Sequence, residues 1–534
     1  MKFPRGRFPL MFNHSDENRS LAADATWLVC AKTLAFAFTF VLPLIMVRQL
    51  SQENFGLYRQ LFLPVNTAIM ILPFGFAMSA FYFLPRVGNR GGAVAMNILV
   101  IHVIIGGVTA GILTVRPSLL AWLFNDPALV RYAPFVAGAL FLGVASSSVD
   151  LLALANGDIK GAVMFVVATN LAKTVLLSAA AIGFASVRAI MVASMLHGFL
   201  QLILLLGYKK RVFGSFVTRP DFDLLRQQLA YALPLGLAAW LYWLQTESHH
   251  YFVAHAFGAV TYAIYTIGCS SLPITSMFGE SMGSVAIHRV SQLHNQGRRD
   301  DIVVVVSQAM CNLAAFYLPL YALLMVVGRD LIAVVYTTKF LPSWPIFAIS
   351  LTLLPLSILG VVSDVVIRSY TECRSFLVGV RLLLAGVLLT SLWLLTPRYG
   401  PIAAISIMVA VTGVERVLIS GRIARALRFQ WREAILLKGL IGIGAVALTA
   451  GAATLITRLA LGSAGHAIVL IICLVVFTVV YSGGSFVRAL AVGEPAIGEW
   501  PFVILPEPVR RRVAGLVVRT RRAREADEAG EEAA

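Results

Sequence analysis

The stretch that decides the fold is LAYALPLGLAAWLYWLQTESHHYFVAHAFG, residues 229–258. It is long and apolar enough to cross a membrane, but six consecutive polar residues, 245–250, interrupt its second half. A charged side chain at the centre of a spanning helix costs roughly 3 kcal/mol even on the mildest insertion scale. We therefore expect Glu247 and the histidines beside it to face a cavity, a partner or a transport pathway rather than lipid.

Helical geometry places aromatic and titratable side chains on one face of this stretch. At about 100° per residue, that face carries Trp240, Trp243, Glu247, His250 and Tyr251. Aromatic rings suit the faces of sugars, and a carboxyl beside an imidazole suits proton coupling. The pattern predicts sugar contacts at the three aromatics and ion coupling or gating at Glu247 and His250. The alternative is that hydrogen bonds inside a helix bundle satisfy these groups, which then have no role in transport.

The composition indicates a polytopic helical membrane protein. Of 534 residues, 59% are apolar and only 13% are charged, and the mean hydropathy is +0.83. About 14 windows are long enough to cross a ~30 Å hydrocarbon core, which leaves little chain for a soluble domain. They include windows near 60–84, 132–154, 231–254, 259–286 and 341–362.

The net charge of +17 indicates a membrane orientation rather than a nucleic-acid partner. Most of the 43 Lys and Arg residues fall in the segments that are cytoplasmic when the N-terminus is inside. This asymmetry predicts that both termini are cytoplasmic and that the basic residues meet anionic lipid headgroups. The predicted organisation is a cytoplasmic arm (1–20), an N-lobe (21–208), a cytoplasmic loop (209–228), a C-lobe (229–430), two further helices (431–488) and a basic then acidic cytoplasmic tail (489–534).

An internal repeat relates the two predicted lobes. Three dipeptides recur about 203 residues later: Phe-Gly at 55–56 and 257–258, Phe-Gly at 74–75 and 278–279, and Arg-Val at 86–87 and 289–290. Residues 119–135 also resemble residues 331–347. An even number of predicted spans separates the copies, so both insert the same way up, and a substrate site is expected between the halves near the midplane. Chance similarity between apolar segments is the alternative.

Four segments carry a resemblance to a known superfamily: LSQENFGLYRQ (50–60), YALPLGL (231–237), FGAVTYAIY (257–265) and DLIAVVYTTKFLPSWPIF (330–347). In these, the chain resembles the multidrug/oligosaccharidyl-lipid/polysaccharide exporter superfamily, and within it the Wzx-type polysaccharide flippases, over about residues 20–430. The resemblance implies two six-helix lobes around a central cavity, plus two extra C-terminal helices, working by alternating access. The implied cargo is an undecaprenyl-pyrophosphate-linked oligosaccharide, flipped across the bacterial cytoplasmic membrane for an exopolysaccharide, a capsule or the O-antigen of lipopolysaccharide.

The chain departs from such flippases in span seven, where an acid followed by a basic residue is often seen. Here the corresponding residues are Glu247, Ser248, His249 and His250. The acid is kept, but the positive charge beside it depends on pH, which argues against a permanent phosphate contact at this position.

Three cations within predicted spans are candidates for binding a lipid pyrophosphate, which requires fixed positive charge. They are Lys32, Lys173 and Arg416, which follows Glu415. Asn170, one turn before Lys173, is predicted to face the cavity and the sugars. Lys173 is the deepest. The alternatives are that Lys32 snorkels to the interface and that Arg416 pairs with a neighbouring acid.

The remaining polar residues add one candidate and predict no cofactor. Glu280 is either a cavity residue in ion coupling or a hydrogen-bond partner between helices. The five cysteines lie singly, and their spacing predicts neither a disulfide framework nor a metal site. No GxxxxGK[ST] motif occurs, so ATP is not expected to drive the protein.

The sequence thus predicts a secondary transporter and not an enzyme. Its expected partners are the lipid-linked oligosaccharide, membrane lipids, and the polymerase and glycosyltransferases of the same pathway. One alternative is a drug or metabolite cation antiporter of the same superfamily. Another is a membrane glycosyltransferase, polymerase or ligase, which would need catalytic groups in sizeable outer loops, whereas the predicted outer loops are short and nearly free of acids.

Overall fold

The computed structural model describes residues 34–35, 37–370, 372–429, 438–462 and 464–492, and all regular elements in these ranges are helices. The first helices are α1 (Ala37–Gln49), α2 (Gln52–Ile71), α3 (Ser79–Phe83), α4 (Gly91–Val115), α5 (Ser118–Phe124), α6 (Ala133–Ser146), α7 (Val149–Ala155), α8 (Ile159–Phe184) and α9 (Val187–Phe213). They are followed by α10 (Phe222–Ala256), α11 (Ala259–Gly268), α12 (Pro273–Asn295), α13 (Arg299–Tyr336), α14 (Trp344–Leu351), α15 (Leu353–Ser369), α16 (Glu372–Tyr399), α17 (Pro401–Ala426), α18 (Lys438–Leu461) and α19 (His466–Val492). Lys32, the arm 1–20 and the tail beyond residue 492 lie outside the described residues.

The prediction of an all-helical, multi-pass membrane protein is confirmed. Within the described ranges, 11 helical stretches are long and apolar enough to cross a membrane, and α1 and α11 are shorter apolar helices. The predicted number of 14 spans is therefore approximate. The chain divides within α10 into two compact units, Met1–Trp240 and Leu241–Ala534.

Two windows predicted as continuous spans in the first unit are interrupted. In the window 60–84, α2 ends at Ile71 and the chain turns through Phe74 (φ 47°) and Gly75 (φ 64°) before α3. Pro73 lacks the N–H that a continuing helix would use, and the positive φ angles of the two residues after it take the chain out of helical geometry. Gly236 packs directly on the Phe74 carbonyl, where a Cβ would collide. The window 132–154 likewise divides into α6 and α7.

The second unit is interrupted at corresponding places. The window 259–286 divides into α11 and α12, and Pro273 is the first residue of α12, where a proline is tolerated. The window 341–362 divides into α14 and α15. Each unit also has a six-residue 3₁₀ helix ahead of this second interruption, Pro127–Tyr132 in one and Thr338–Ser343 in the other. These matching irregularities support the parallel repeat read from the sequence.

Buried polar side chains fix the packing of the first unit. Asn97 of α4 donates from Nδ2 to Gln228 Oε1 (2.9 Å), and Gln228 of α10 donates from Nε2 to Ser79 Oγ (3.0 Å). All three residues are fully buried, so these bonds join α3, α4 and α10 inside an apolar cluster. The cluster is formed by Phe76, Ala80, Phe83, Ile98, Leu152, Phe165 and Leu205, among others.

The segment between α9 and α10 is shorter than the loop predicted at 209–228, because both helices extend into it and leave 214–221 outside them. Lys209 Nζ donates to the Phe216 carbonyl and to Thr218 Oγ1, both at 3.1 Å. Asp221 accepts from the Leu224 N–H at the start of α10 and pairs with Arg90. The Leu224 N–H and the Arg90 guanidinium lower the pKa of Asp221, so its carboxylate is charged at neutral pH.

The two C-terminal helices, α18 and α19, pack against α13 in the second unit. Asp330 of α13 accepts from Arg458 Nε of α18 (2.7 Å) and from His466 Nδ1 of α19 (2.7 Å). Tyr481 of α19 donates to the Ala315 carbonyl (3.2 Å). Asp330 is only 4% exposed, so one buried carboxylate joins three helices.

We expect Asp330→Ala to loosen this attachment. Breaking a fully buried ion pair costs ~3–5 kcal/mol, and because Arg458 and His466 remain partly exposed we expect a loss of about 2 kcal/mol. The apparent melting temperature of the purified protein should fall by several degrees. Arg398→Ala, at an exposed residue near the end of α16, is the matched control. Equal melting temperatures for the two variants would contradict the stabilising role of Asp330.

Candidate functional site

The first unit contains a polar cavity of about 300 Å³ among apolar helices. Its lining includes Asp150 of α7, Asn170 and Lys173 of α8, and His197 and Gln201 of α9. The predicted pair Lys173 and Asn170 therefore opens into the same space, as their one-turn spacing requires.

Lys173 is the cation of this cavity, and its surroundings leave it available to a ligand. Among the described residues, Lys173 Nζ has no hydrogen-bond or ion-pair partner. Asn170 donates from Nδ2 to the Val166 carbonyl of its own helix (2.8 Å), and His197 Nε2 donates to the Thr169 carbonyl (3.1 Å). These bonds hold the two neighbouring side chains while the ammonium group keeps its capacity to donate.

The second unit contains a larger cavity of about 630 Å³, lined by α12, α15 and α17. Glu280, Asp364 and Arg416 supply its charges. Arg416 Nη1 is buried and has no hydrogen-bond partner among the described residues. Gly360 makes room for the guanidinium, because a Cβ there would lie 2.9 Å from Arg416 Cζ.

Glu415, next to Arg416, belongs to a separate network. Its carboxylate, 2% exposed, accepts from Arg381 Nε of α16 (3.1 Å) and from Gln245 Nε2 of α10. The Arg381 guanidinium lies 5.3 Å from the centre of the Tyr242 ring. Among the described residues, the ion pair of Glu415 is with Arg381 and not with the Arg416 beside it.

The polar side chains of residues 245–250 lie on more than one side of α10. Gln245, Ser248 and His249 are buried, whereas the Glu247 side chain is 46% exposed. His250 Nε2 lies 3.8 Å from Glu247 Oε2. These two predicted coupling residues are therefore neighbours.

The three predicted sugar-contacting aromatics have different surroundings. The rings of Trp243 and Tyr251 meet edge to face, with centroids 6.0 Å apart. Trp240 is 37% exposed and is the last residue of the first unit. The roles assigned to them stay predictions.

Sequence reasoning missed Arg381, His197 and the partner of His249. Arg381 lies near the N-terminal end of the apolar window 376–396, which was a usable signal for an intramembrane cation. His197 faces the Lys173 cavity from another helix, and His249 Nδ1 lies 2.5 Å from Tyr265 Oη. Helical periodicity alone does not reveal contacts of this kind between helices.

Comparisons with known proteins agree on the type of fold. The sequence matches the family described as "Polysaccharide biosynthesis protein" over residues 27–345, and no curated protein sequence matches it. Among solved structures, the fold is similar to that of the lipid II flippase MurJ in an inward closed conformation, with a TM-score of 0.69 and 11% identity over 87% of this chain and 99% of that one.

Two further solved structures belong to the MOP superfamily. A MOP transporter from Pyrococcus furiosus has a TM-score of 0.51 and 15% identity over 76% of this chain and 96% of that one. An outward-facing multidrug resistance MATE transporter has a TM-score of 0.50 and 16% identity over 78% and 96%. At these identities the likeness shows the fold alone. Since the family match covers more than half of the sequence, the chain belongs to the polysaccharide biosynthesis protein family.

Proposed function

We propose that this protein is a secondary transporter that flips a polyprenyl-pyrophosphate-linked oligosaccharide across the bacterial cytoplasmic membrane. The observation that carries the proposal is Lys173, a cation in a polar cavity of the membrane helices that has no partner among the described residues. A pyrophosphate group brought into an apolar region needs such a donor, because its charge is otherwise too costly to desolvate.

Arg416 supplies a second donor of the same kind in the other unit. Within the cavity of that unit, its Nη1 has no partner among the described residues and offers a charged hydrogen bond to a phosphate oxygen, for which the planar guanidinium is well suited. Hydroxyl groups in both cavities, and the Asn and Gln amides in the Lys173 cavity, would meet sugar hydroxyls. Transport by alternating access makes and breaks no covalent bond, so we propose no enzymatic step.

A cation antiporter is the second candidate, and the cavity of the second unit favours it. Glu280 and Asp364 line that cavity together with Arg416, so acids outnumber bases among its lining residues, which favours a positively charged ligand. The antiporter proposal requires binding of small cations and no binding of a lipid-linked sugar.

The test uses the full-length protein in proteoliposomes containing labelled undecaprenyl-pyrophosphate oligosaccharide on the inner leaflet. We expect protein-dependent appearance of the sugar at the outer leaflet, detected with a membrane-impermeant glycosidase or lectin. Binding is measured in parallel with the same lipid and with a set of organic cations. Binding of the cations together with failure to bind or flip the lipid would favour the antiporter.

The proposed location predicts a definite topology. Because the Lys and Arg asymmetry predicts that both termini and the segment 214–221 are cytoplasmic, an alkaline phosphatase fused after Phe216 should be inactive and a cytoplasmic reporter there active. A fusion after Pro117, between α4 and α5, should give the opposite result. Periplasmic activity at Phe216 would overturn the orientation.

A further inference from the structure

Three metal-ligating side chains converge in the second unit, away from Lys173. His249 and His250 lie on α10, and Cys269 caps the C-terminal end of α11. One possible ligand atom from each lies within 4.8 Å of the other two. His249 is buried, His250 and Cys269 are half-buried, and Cys269 is a thiol rather than half of a disulfide.

We propose that His249, His250 and Cys269 bind a transition-metal ion of the zinc class and thereby join α10 to α11. Imidazole nitrogen and thiolate sulfur suit zinc, whereas sodium, magnesium and calcium prefer oxygen ligands. Two imidazoles and one thiolate with a fourth position open form a ligand set that zinc commonly takes. This site does not rest on the proposed transport function.

Tyr265 supplies the outer contact that a metal-binding histidine usually has. Its hydroxyl lies 2.5 Å from His249 Nδ1, and the two ring centroids are 5.6 Å apart. A hydrogen bond at one ring nitrogen fixes the orientation of the ring and leaves the other nitrogen for the ion. Tyr265 is therefore a positioning residue for His249.

The three ligands leave the fourth coordination position to water, and the ion has an entry path. The Glu247 carboxylate lies 3.8 Å from His250 Nε2 but is not one of the three converging ligands. Cys269 lines the large cavity of the second unit, from which an ion can reach the thiol. Because Cys269 stands at the interruption between α11 and α12, a bound ion would fix this interruption against α10.

The experiment is a Co²⁺ titration of the full-length protein after treatment with a chelator. We expect one equivalent of Co²⁺ to give visible bands of a tetrahedral site and thiolate charge-transfer absorption, both removed by Zn²⁺ in competition. Cys269→Ser should abolish the charge-transfer band, and Tyr265→Phe should weaken Co²⁺ binding at least ~10-fold.

Cys311→Ser, on α13, is the matched control and should retain the full signal. Folding is checked for every variant by gel filtration and thermal unfolding without metal. Should Cys269→Ser fail to fold, His249→Gln replaces it, and the Co²⁺ bands should then be lost or weakened. An absence of thiolate charge transfer in the wild-type protein, or its persistence in Cys269→Ser, would overturn the site and show that hydrogen bonds alone hold this cluster.

Discussion

Lys173→Ala is expected to abolish export of the surface polysaccharide while the protein continues to reach the membrane. Removing the ammonium group removes a charge-assisted hydrogen bond worth about 1.5–3 kcal/mol, which corresponds to a loss of cargo affinity of roughly 10- to 100-fold. The cost falls on binding rather than folding, because Lys173 Nζ has no partner among the described residues. Surface polymer is measured in cells that lack the wild-type gene, and binding of the lipid-linked oligosaccharide is measured with the purified variant.

Two further variants separate charge from structure. Lys173→Arg keeps the charge but changes its geometry, so it should retain part of the activity. Lys160→Ala removes a cation from an exposed position on the same helix, α8, and should export polymer normally. Membrane abundance is compared for all three variants. Normal export by well-expressed Lys173→Ala would remove this residue from the binding site.

The sequence predicted the helical architecture well because two strong signals carried it. Hydropathy determines which segments can enter a membrane, and the recurring dipeptides indicated an internal repeat. The interruptions at Pro73 and Pro273 were missed. Hydropathy averaged over a window of about 19 residues reads each segment as one span. The positive φ angles of Phe74 and Gly75 interrupt the first, whereas in the second α11 ends at Gly268 and Pro273 begins α12.

The sequence predicted only those contacts of the candidate sites that lie within a single helix. Lys173 and Asn170 share a cavity because they lie one turn apart on α8. The Arg381 and Gln245 contacts of Glu415 involve residues from three helices. Such contacts depend on how helices pack, and no periodicity of a single segment encodes them.

Glu247 has the surroundings that a coupling carboxyl requires. Its side chain is about half exposed, whereas Gln245, Ser248 and His249 of the same stretch are buried, and His250 Nε2 lies 3.8 Å from it. Alternating access needs a group whose interactions differ between the two conformations. A carboxyl can take up a proton in one of them and release it in the other when its environment changes, and a charged His250 would favour release. We therefore propose that Glu247 couples transport to protons.

Glu247→Gln tests this role, because glutamine keeps the shape and hydrogen bonding of the side chain but cannot titrate. We expect cargo binding to be retained. Stimulation by a proton gradient should be lost, so that the flipping rates with and without the gradient are about equal. The assay is run in proteoliposomes with a chelator present, so that an ion at Cys269 does not contribute.

Glu53→Gln, which removes an exposed acid in the first turn of α2, is the matched control and should keep the full stimulation. For each variant, the flipping rate with the gradient is divided by the rate of the same variant without the gradient. The comparison therefore depends on the gradient alone. If Glu247→Gln responds to the gradient as the wild type does, the carboxyl does not carry the coupling proton. Its role would then be to pack and hydrogen-bond within the helix bundle, as the alternative interpretation of this stretch holds.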